Sequence, residues 1–447
     1  MWIWICRSEM TAETVQQEEI MSEIVEMQQN VDILQMRLVT SSAEDLASPA
    51  TTVLKKGEGR TLKKGGLWVY DNEIASVKGD YQNGDIIGVE DFDGYFMGYG
   101  YINDASKIRI RMLTRGGREA RVTPSFLKQR VRDAWTYRKK VIDTSACRVI
   151  FGDADFLPGL TVDKYDDVLV VESLALGTEK LKGLVLQALV EILAEDSIRI
   201  RGIYERSDAK VREKEGLPRV RGFLSAPFDT NVPITENGIR YIVDVKEGQK
   251  TGFFLDQKLN RLAIQKLAKG ASVLDCFTHT GSFGLNAARG GASHVISVDA
   301  SETAILQAEE NAKLNGFDDI IDYYVADVFE MLPGMEEKGE QFDLVILDPP
   351  AFTKSRASVK GAARGYKEIN LRGMRLVKPG GFLATCSCSH FMEQEMFADI
   401  IRDAARDAHV RLRQVEFRTQ APDHPITWAA DDSYYLKFYI FQVCPQN

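Results

Sequence analysis

Four aspartates stand at the ends of short, β-branched-rich runs: Asp275 in VLDCF, Asp299 in VISVDA, Asp327 in YYVAD and Asp348 in VILDPPAF. Open parallel α/β sheets bind ligands beyond the carboxyl ends of their strands, so these side chains would share one mouth. Any one of them alone would be an ordinary turn former or helix N-cap. Four in succession are harder to explain that way. After the first comes DCFTHTGSFG, where Phe277, Thr280, Gly281 and Gly284 lead into a helix and the glycines admit close backbone approach. Asp299 lies 24 positions past Asp275, where it could hydrogen-bond both hydroxyls of a ribose. Asp327 could accept from an adenine amino group. Anchors for a methionine part, a ribose and an adenine suit S-adenosylmethionine. A dinucleotide is disfavoured, because no G-x-G-x-x-G loop is present.

The fifth run, GFLATCSCSH, supplies reactive candidates. Cys386, Cys388 and His390 alternate, so an extended chain would set them on one face. As a metal site the trio lacks a fourth ligand and the usual Cys spacing, and no metal is expected. A buried, inert cysteine is the competing reading, since free Cys is among the most buried residue types. Cys388 lies past the apolar part of the run, which favours a thiol open to the ligand edge.

The elements that would position these groups follow from the alternation of strand-like and helical stretches after residue 232, which implies a parallel sheet with crossover helices. VRLRQVEFR and YYLKFYIFQV read as a terminal antiparallel pair. From Val53, short alternating strands broken by Gly and Asp-Gly turns indicate a small antiparallel β-barrel or sandwich. Residues 120–232 read as α+β, opening on a basic helix from Pro124 to Val141. Residues 1–50 are an appendage in which Thr11–Leu38 has helical composition. The domains expected are thus 1–50, 51–119, 120–232 and 233–447.

Charge and composition narrow the class. The chain of 447 residues is 44% hydrophobic with a net charge of −9. Residues 1–50 alone carry nine acidic and two basic side chains, and Lys107–Lys140 holds twelve basic residues against Glu119 and Asp133. Such an island is expected of a nucleic-acid partner or of a solvated basic helix. Six scattered cysteines argue for a reducing, cytoplasmic setting, and no apolar run approaches the ~20 residues that span a bilayer.

At this point the motifs LKKGEGRTLKKGGLWVYDNEI, GQKTGFFLDQKLNR, VLDCFTHTGSFG, LDPPAF, RGYKEIN and CSCSHFM together resemble the large-subunit ribosomal RNA cytosine-C5 methyltransferase family, over about residues 52–445. The resemblance implies a class I, Rossmann-like methyltransferase domain preceded by a β-barrel PUA-like domain and a central α+β domain. It implies S-adenosylmethionine as cofactor and ribosomal RNA as partner, with a homodimer also expected. It makes Cys388 the nucleophile and Asp348 the group that holds the target base. Asp275, Phe277, Thr280, Gly281, Asp299, Asp327, Phe254 and Gln257 would surround the cofactor. Arg364, Tyr366, Lys367 and Asn370 would face RNA. Apart from the resemblance, Lys55 and Lys56 stand in a glycine-rich basic loop that could follow phosphates or be an ordinary hairpin with lysine-protected edges. Cys386 departs from the family's pattern, in which an apolar residue is frequent, so the nucleophile has two candidates. The rival readings are methylation of a purine nitrogen, a non-catalytic ribosome-assembly factor, and a dehydrogenase.

Overall fold

A computed structural model describes residues 45–429 and 433–446. The helix expected over Thr11–Leu38 lies outside the described residues. The chain forms two compact units, residues up to 137 with 155–230, and residues 138–154 with 231–447.

In the first unit β1 (Ala47–Leu54), β2 (Trp68–Tyr70), β3 (Ile74–Lys78), β4 (Ile86–Glu90), β5 (Phe96–Ile102) and β6 (Ile108–Met112) form a six-stranded sheet ordered β2-β6-β5-β4-β1-β3. Leu54, Val69, Ile87, Val89, Ile102 and Ile110 fill its interior. Gly98 lets β5 cross close to its neighbour, since a Cβ there would come within 2.2 Å of the Thr114 carbonyl. A one-turn helix, α1 (Arg60–Lys63), leads into β2.

Helix α2 (Pro124–Val141) contains the boundary between the units, and β7 (Ala146–Phe151) belongs to the second. The first unit resumes with β8 (Leu160–Tyr165), β9 (Val168–Ser173), α3 (Leu176–Glu195), β10 (Gly202–Ser207) and β11 (Val220–Phe223). Here β9 and β10 are parallel and joined through α3, as a crossover requires.

Several cations of the basic island have acidic partners in the fold. Arg109 pairs with Asp104, Arg111 with Glu215, Arg118 with Glu90, Lys128 with Glu191 and Arg132 with Glu195. Arg115 donates to the Leu62 and Gly66 carbonyls, and Arg138 is fully buried. Five of the island's twelve cations are thus paired with carboxylates outside it, four of these distant in sequence.

The second unit opens with a hairpin, β12 (Asn231–Glu236) and β13 (Ile239–Asp244), turned by Asn237 (φ 54°) and Gly238 (φ 76°). Two positive φ values at Asn-Gly are what a two-residue hairpin loop needs. There follow α4 (Lys258–Gln265), β14 (Ser272–Cys276), α5 (Ser282–Arg289), β15 (His294–Asp299), α6 (Glu302–Asn315), β16 (Ile321–Val325), α7 (Val328–Glu337) and β17 (Phe342–Leu347). The chain ends with α8 (Val359–Leu376), β18 (Val377–Ser387), α9 (Gln394–Asp407), β19 (Val410–Arg418) and β20 (Lys437–Pro445). The sheet order is β16-β15-β14-β17-β18-β20-β19, with β20 antiparallel to both its neighbours. Strand order reverses at β14, so a crevice opens between β14 and β17, where doubly wound sheets hold ligands. Among the described residues no helix is long and apolar enough to cross a membrane.

Beside that crevice the Arg261 guanidinium meets the Glu236 carboxylate through two bonds of 2.7 and 2.8 Å, with both side chains buried. It also donates to the Phe254 carbonyl at 2.9 Å. Removing one member of a buried pair strands the other charge, at about 3–5 kcal/mol. Glu236→Ala should lose that much in urea unfolding; a loss under about 1 kcal/mol would show that the pair is not structural.

Candidate active site

The site grows from the turn after β14. Asp275 is fully buried, and its Oδ2 accepts from Thr278 Oγ1 at 2.5 Å and the Gly284 amide at 2.8 Å. Its Oδ1 and the Thr280 Oγ1 are buried without a partner. Phe277 (φ 64°) and His279 (φ 51°) sit in the left-handed region, which costs roughly 1–3 kcal/mol each unless the surroundings enforce it. Enforcement is visible: the Thr278 amide donates to the Val298 carbonyl and the His279 amide to Asp299 Oδ2, both at 2.9 Å. A Cβ at Gly284 would lie 2.5 Å from Ser297 Oγ, so glycine is needed for the helix to approach Asp275.

Asp299 also accepts from the Ser301 amide at 2.9 Å. Asp327 caps α7 through the Phe329 amide at 2.8 Å and is exposed, so the ordinary N-cap role is present there. Phe277, Phe352 and Phe329 form a row of rings with centroids 6.4 and 5.7 Å apart. Burial pushes the Asp275 carboxyl up to about 7, with Asp348 and Asp299 adding to the rise and the Thr278 and Gly284 bonds opposing it. A crevice edged by carboxylates and orphaned acceptors fits a ligand with an ammonium, a sulfonium and ribose hydroxyls, and repels a diphosphate.

Across the crevice, β18 ends at Ser387. Cys386 is fully buried; its thiol donates to Asp348 Oδ1 at 2.6 Å, and Gln257 Nε2 donates to the same oxygen at 3.0 Å. Asn260 Nδ2 fixes Gln257 by donating to its Oε1 at 2.6 Å. Cys388 is only partly buried, with its sulfur 3.9 Å from the Pro349 carbonyl. Ser387 Oγ and Ser389 Oγ each lie 3.0 Å from the Tyr366 hydroxyl and both serines are buried. Alternate side chains of an extended segment point oppositely, so tying down the serines turns Cys388 toward the Asp348–Pro349 corner.

Burial pushes Asp348 up to about 6, with Asp256 adding to the rise and the Cys386 and Gln257 bonds holding it back. Burial likewise pushes the Cys388 thiol up to about 11, helped by Asp348 and opposed by the Lys250 ammonium. His390 is exposed with its ring against Phe391, and among the described residues no group of three His, Cys, Asp or Glu side chains could hold a metal.

Other expected positions divide clearly. Phe254 packs edge-on to His279, 5.4 Å away, beside the Phe277–Gly281 turn. Tyr366 and Asn370 are corrected: both are fully buried on the inner side of α8, out of reach of an RNA strand. Lys367 is paired with Asp407 at 2.6 Å, whereas Arg364, Lys55 and Lys56 are exposed. Asp256, which the resemblance also sets beside the cofactor cleft, accepts from the Tyr435 hydroxyl at 2.7 Å. The residues that the sequence does not single out are Asn260 and Lys437, a fully buried lysine opening β20. A lysine inside the apolar run YYLKFYIFQV was the available signal for the last.

The chain is similar to known proteins over most of its length. Residues 219–441 match the S-adenosylmethionine-dependent methyltransferase family model and residues 53–115 a PUA-like domain. The ribosomal RNA large subunit methyltransferase I of Alteromonas mediterranea is 40% identical over 88% of this chain and 99% of its own length. That of Shewanella denitrificans is 42% identical over 87% and 98%. The chain belongs to the ribosomal RNA large subunit methyltransferase I family. Its cofactor is S-adenosylmethionine. A solved Streptococcus mutans protein described as a SAM-dependent methyltransferase shares the fold, with a TM-score of 0.73 at 20% identity, over 88% of this chain and all of that one. A methyltransferase solved in complex with SAH has the same coverage, identity and TM-score.

Two outcomes follow for the cofactor side. Asp299→Ala should weaken S-adenosylmethionine binding at least tenfold in calorimetry; an unchanged affinity would remove Asp299 from the ribose site. Between 3.8 and about 7 the folded chain keeps on Asp275 a proton that the unfolded chain loses, so this group's contribution to stability falls as pH rises through that window. The stability of Asp275→Asn relative to the native chain, from urea unfolding, should therefore increase from pH 4 to pH 7 and then level off. A gap that stays constant or narrows contradicts the assignment.

Proposed function

We propose that this chain methylates C5 of a cytosine in large-subunit ribosomal RNA through a covalent adduct between Cys388 and C6 of the base. The observation that carries the reading is the placement of the Cys388 sulfur, partly open and 3.9 Å from the Pro349 carbonyl, next to a carboxyl group raised to about 6. The relatives' printed name supports ribosomal RNA as the substrate, and that substrate would make the cytoplasm the place of work.

C5 of cytosine is too poor a nucleophile to accept a methyl group unaided, and addition of a thiolate to C6 makes it enamine-like. When bound, S-adenosylmethionine supplies the electrophilic methyl group; Asp275, Asp299, Asp327 and Thr280 are the residues we assign to hold it. Cys388 attacks as the thiolate, forming the C6–S bond. Asp348 keeps its Oδ1 engaged by Cys386 and Gln257, so Oδ2 is the oxygen assigned to the base. Protonated in part near neutrality, it can give a hydrogen bond to N3 as negative charge spreads into the ring. Once C5 carries the methyl group, transfer of its proton to a base and departure of the Cys388 sulfur as thiolate restore the C5–C6 double bond and release the product. Cys386 is assigned to orienting Asp348 rather than to attack, because its sulfur is buried and already bonded to that carboxylate.

The base must leave its stack to reach this crevice, so the PUA-like and central domains, 51–119 and 120–232, are assigned to gripping RNA around a flipped or single-stranded cytosine. Lys55, Lys56 and Arg364 are the exposed cations we assign to phosphates. Cys388→Ala should abolish methyl transfer to unmodified ribosomal RNA, with cofactor affinity within about twofold of the native chain. Nucleoside mass spectrometry of the native reaction should yield 5-methylcytidine. A methylated purine, or activity retained by Cys388→Ala and lost in Cys386→Ala, would overturn the reading.

A further inference from the structure

The loop between β19 and β20 carries a side chain for which the fold has no use. Trp428 is 96% exposed, whereas Tyr95, the next most exposed of the large apolar side chains among the described residues, is 64% exposed. A tryptophan has up to about 250 Å² of surface to bury and ordinarily finds a partner for it. Its place in the fold narrows what that partner is. Lys437, which opens β20, pairs with Ser387, the last residue of β18, and Arg418, which ends β19, pairs with Phe438. The loop therefore leaves the sheet at its carboxyl edge, where Asp348 follows β17 and Cys388 follows β18. Its stem is tied to residues around the crevice. The Ala421 amide donates to the Asp256 carbonyl at 2.8 Å, the Tyr435 hydroxyl to Asp256 Oδ2 at 2.7 Å, and Lys437 Nζ to the Ser389 carbonyl at 2.7 Å. Nearer the tip, the Thr427 amide donates to Ser433 Oγ at 2.7 Å, so the residue just before Trp428 is bonded across the loop. The indole is thus held in solvent by a stem with fixed bonds.

We propose that Trp428 is an RNA-binding residue whose indole stacks on an unpaired base flanking the target nucleotide. The inference rests on ribosomal RNA being the substrate and does not depend on which atom of the target is methylated. A flat ring with a free face matches a nucleobase, and every base has such a face. Charge favours the base over the backbone, because Asp431 and Asp432 follow in the same loop and would repel a phosphate. A protein partner is disfavoured: a stable interface needs about 800 Å² on each side, and within residues 421–429 the other exposed side chains are only Ile426 and Ala429. Extrusion of the target breaks the stack on both of its sides, and an aromatic ring at the crevice edge offers the neighbouring base a replacement.

The test uses the full chain and large-subunit ribosomal RNA lacking modifications, with filter binding for affinity and labelled S-adenosylmethionine for methyl transfer. Trp428→Ala should raise the Kd and KM for RNA at least about fivefold, with kcat at saturating RNA and cofactor affinity within about twofold of the native chain. Trp428→Phe keeps a ring and should stay within about twofold on every measure. With the side chain almost wholly in solvent, neither variant should move the urea midpoint. A stacked ring releases no counterion, so the slope of log Kd against log salt should be the same for the Ala variant and the native chain. An Ala variant that binds RNA as the native chain does, a Phe variant as weak as the Ala variant, or a shallower salt slope in the Ala variant overturns the stacking role. Unchanged RNA affinity with self-association lost in sedimentation would also overturn it, and would give the ring to a second copy of the chain. A native chain that neither binds nor methylates this RNA would instead remove the substrate reading, so the two failures are distinguishable.

Discussion

The burial of carboxylates at the ends of parallel strands is the constraint from which the rest of the catalytic half follows. Asp275 and Asp348 sit at the ends of the neighbouring strands β14 and β17, and among the described residues no arginine or lysine forms an ion pair with either. The nearby guanidinium of Arg261 is committed to Glu236. Burial therefore lifts both carboxyls toward neutrality, and hydrogen bonds from Thr278, Gly284, Cys386 and Gln257 supply what compensation there is. Such a crevice is unfavourable until a positively charged ligand lies in it, and proximity to one returns a raised carboxyl toward its ionised form. Ligand binding and proton loss are thereby linked at the same atoms.

The same constraint explains the division between the two thiols. Cys386 lies within the strand, faces Asp348 and becomes that carboxylate's hydrogen-bond donor. Cys388 comes one step past the strand's end, where no further ladder bond holds it. The two serines around it are anchored to one tyrosine hydroxyl, which fixes the register of the turn and leaves the intervening sulfur at the crevice wall. On the opposite side, the turn after β14 is fixed in a similar way: the backbone at Phe277 and His279 is held in an uncommon conformation by bonds to β15. Rigid elements hold both faces of the crevice, as the proposed alignment of sulfur, base and methyl donor would require.

Much of this half was legible in the order of residues because local physics sets it. The β-branched runs, their aspartate ends and the glycine turn after Asp275 each announce a strand end by composition alone. Helix α2 and strand β19 begin and end where the pattern places them. What could not be read depends on long-range partners. The cations of Lys107–Lys140 look free along the chain, yet their carboxylates come from Glu191, Glu195 and Glu215, brought near only by folding. Tyr366 and Asn370 lie on a helix whose polar motif hides which face turns inward, and both proved to be structural. Residues 138–154 read as part of the middle region but pack with the catalytic unit. Lys437 was visible as a charge in an apolar run, but its bond to the Ser389 carbonyl forms only when β20 pairs with β18.

The central claim is that Cys388 bonds to C6 of a cytosine. It is tested most directly with a ribosomal RNA fragment carrying 5-fluorocytidine, whose C5 fluorine cannot leave as a proton does, so that a methylated adduct persists. After incubation with S-adenosylmethionine and digestion of protein and RNA, mass spectrometry should find the nucleotide attached to the peptide containing Cys388, at that sulfur. Attachment at Cys386, or no covalent product from a chain that methylates the unfluorinated RNA, would contradict the account.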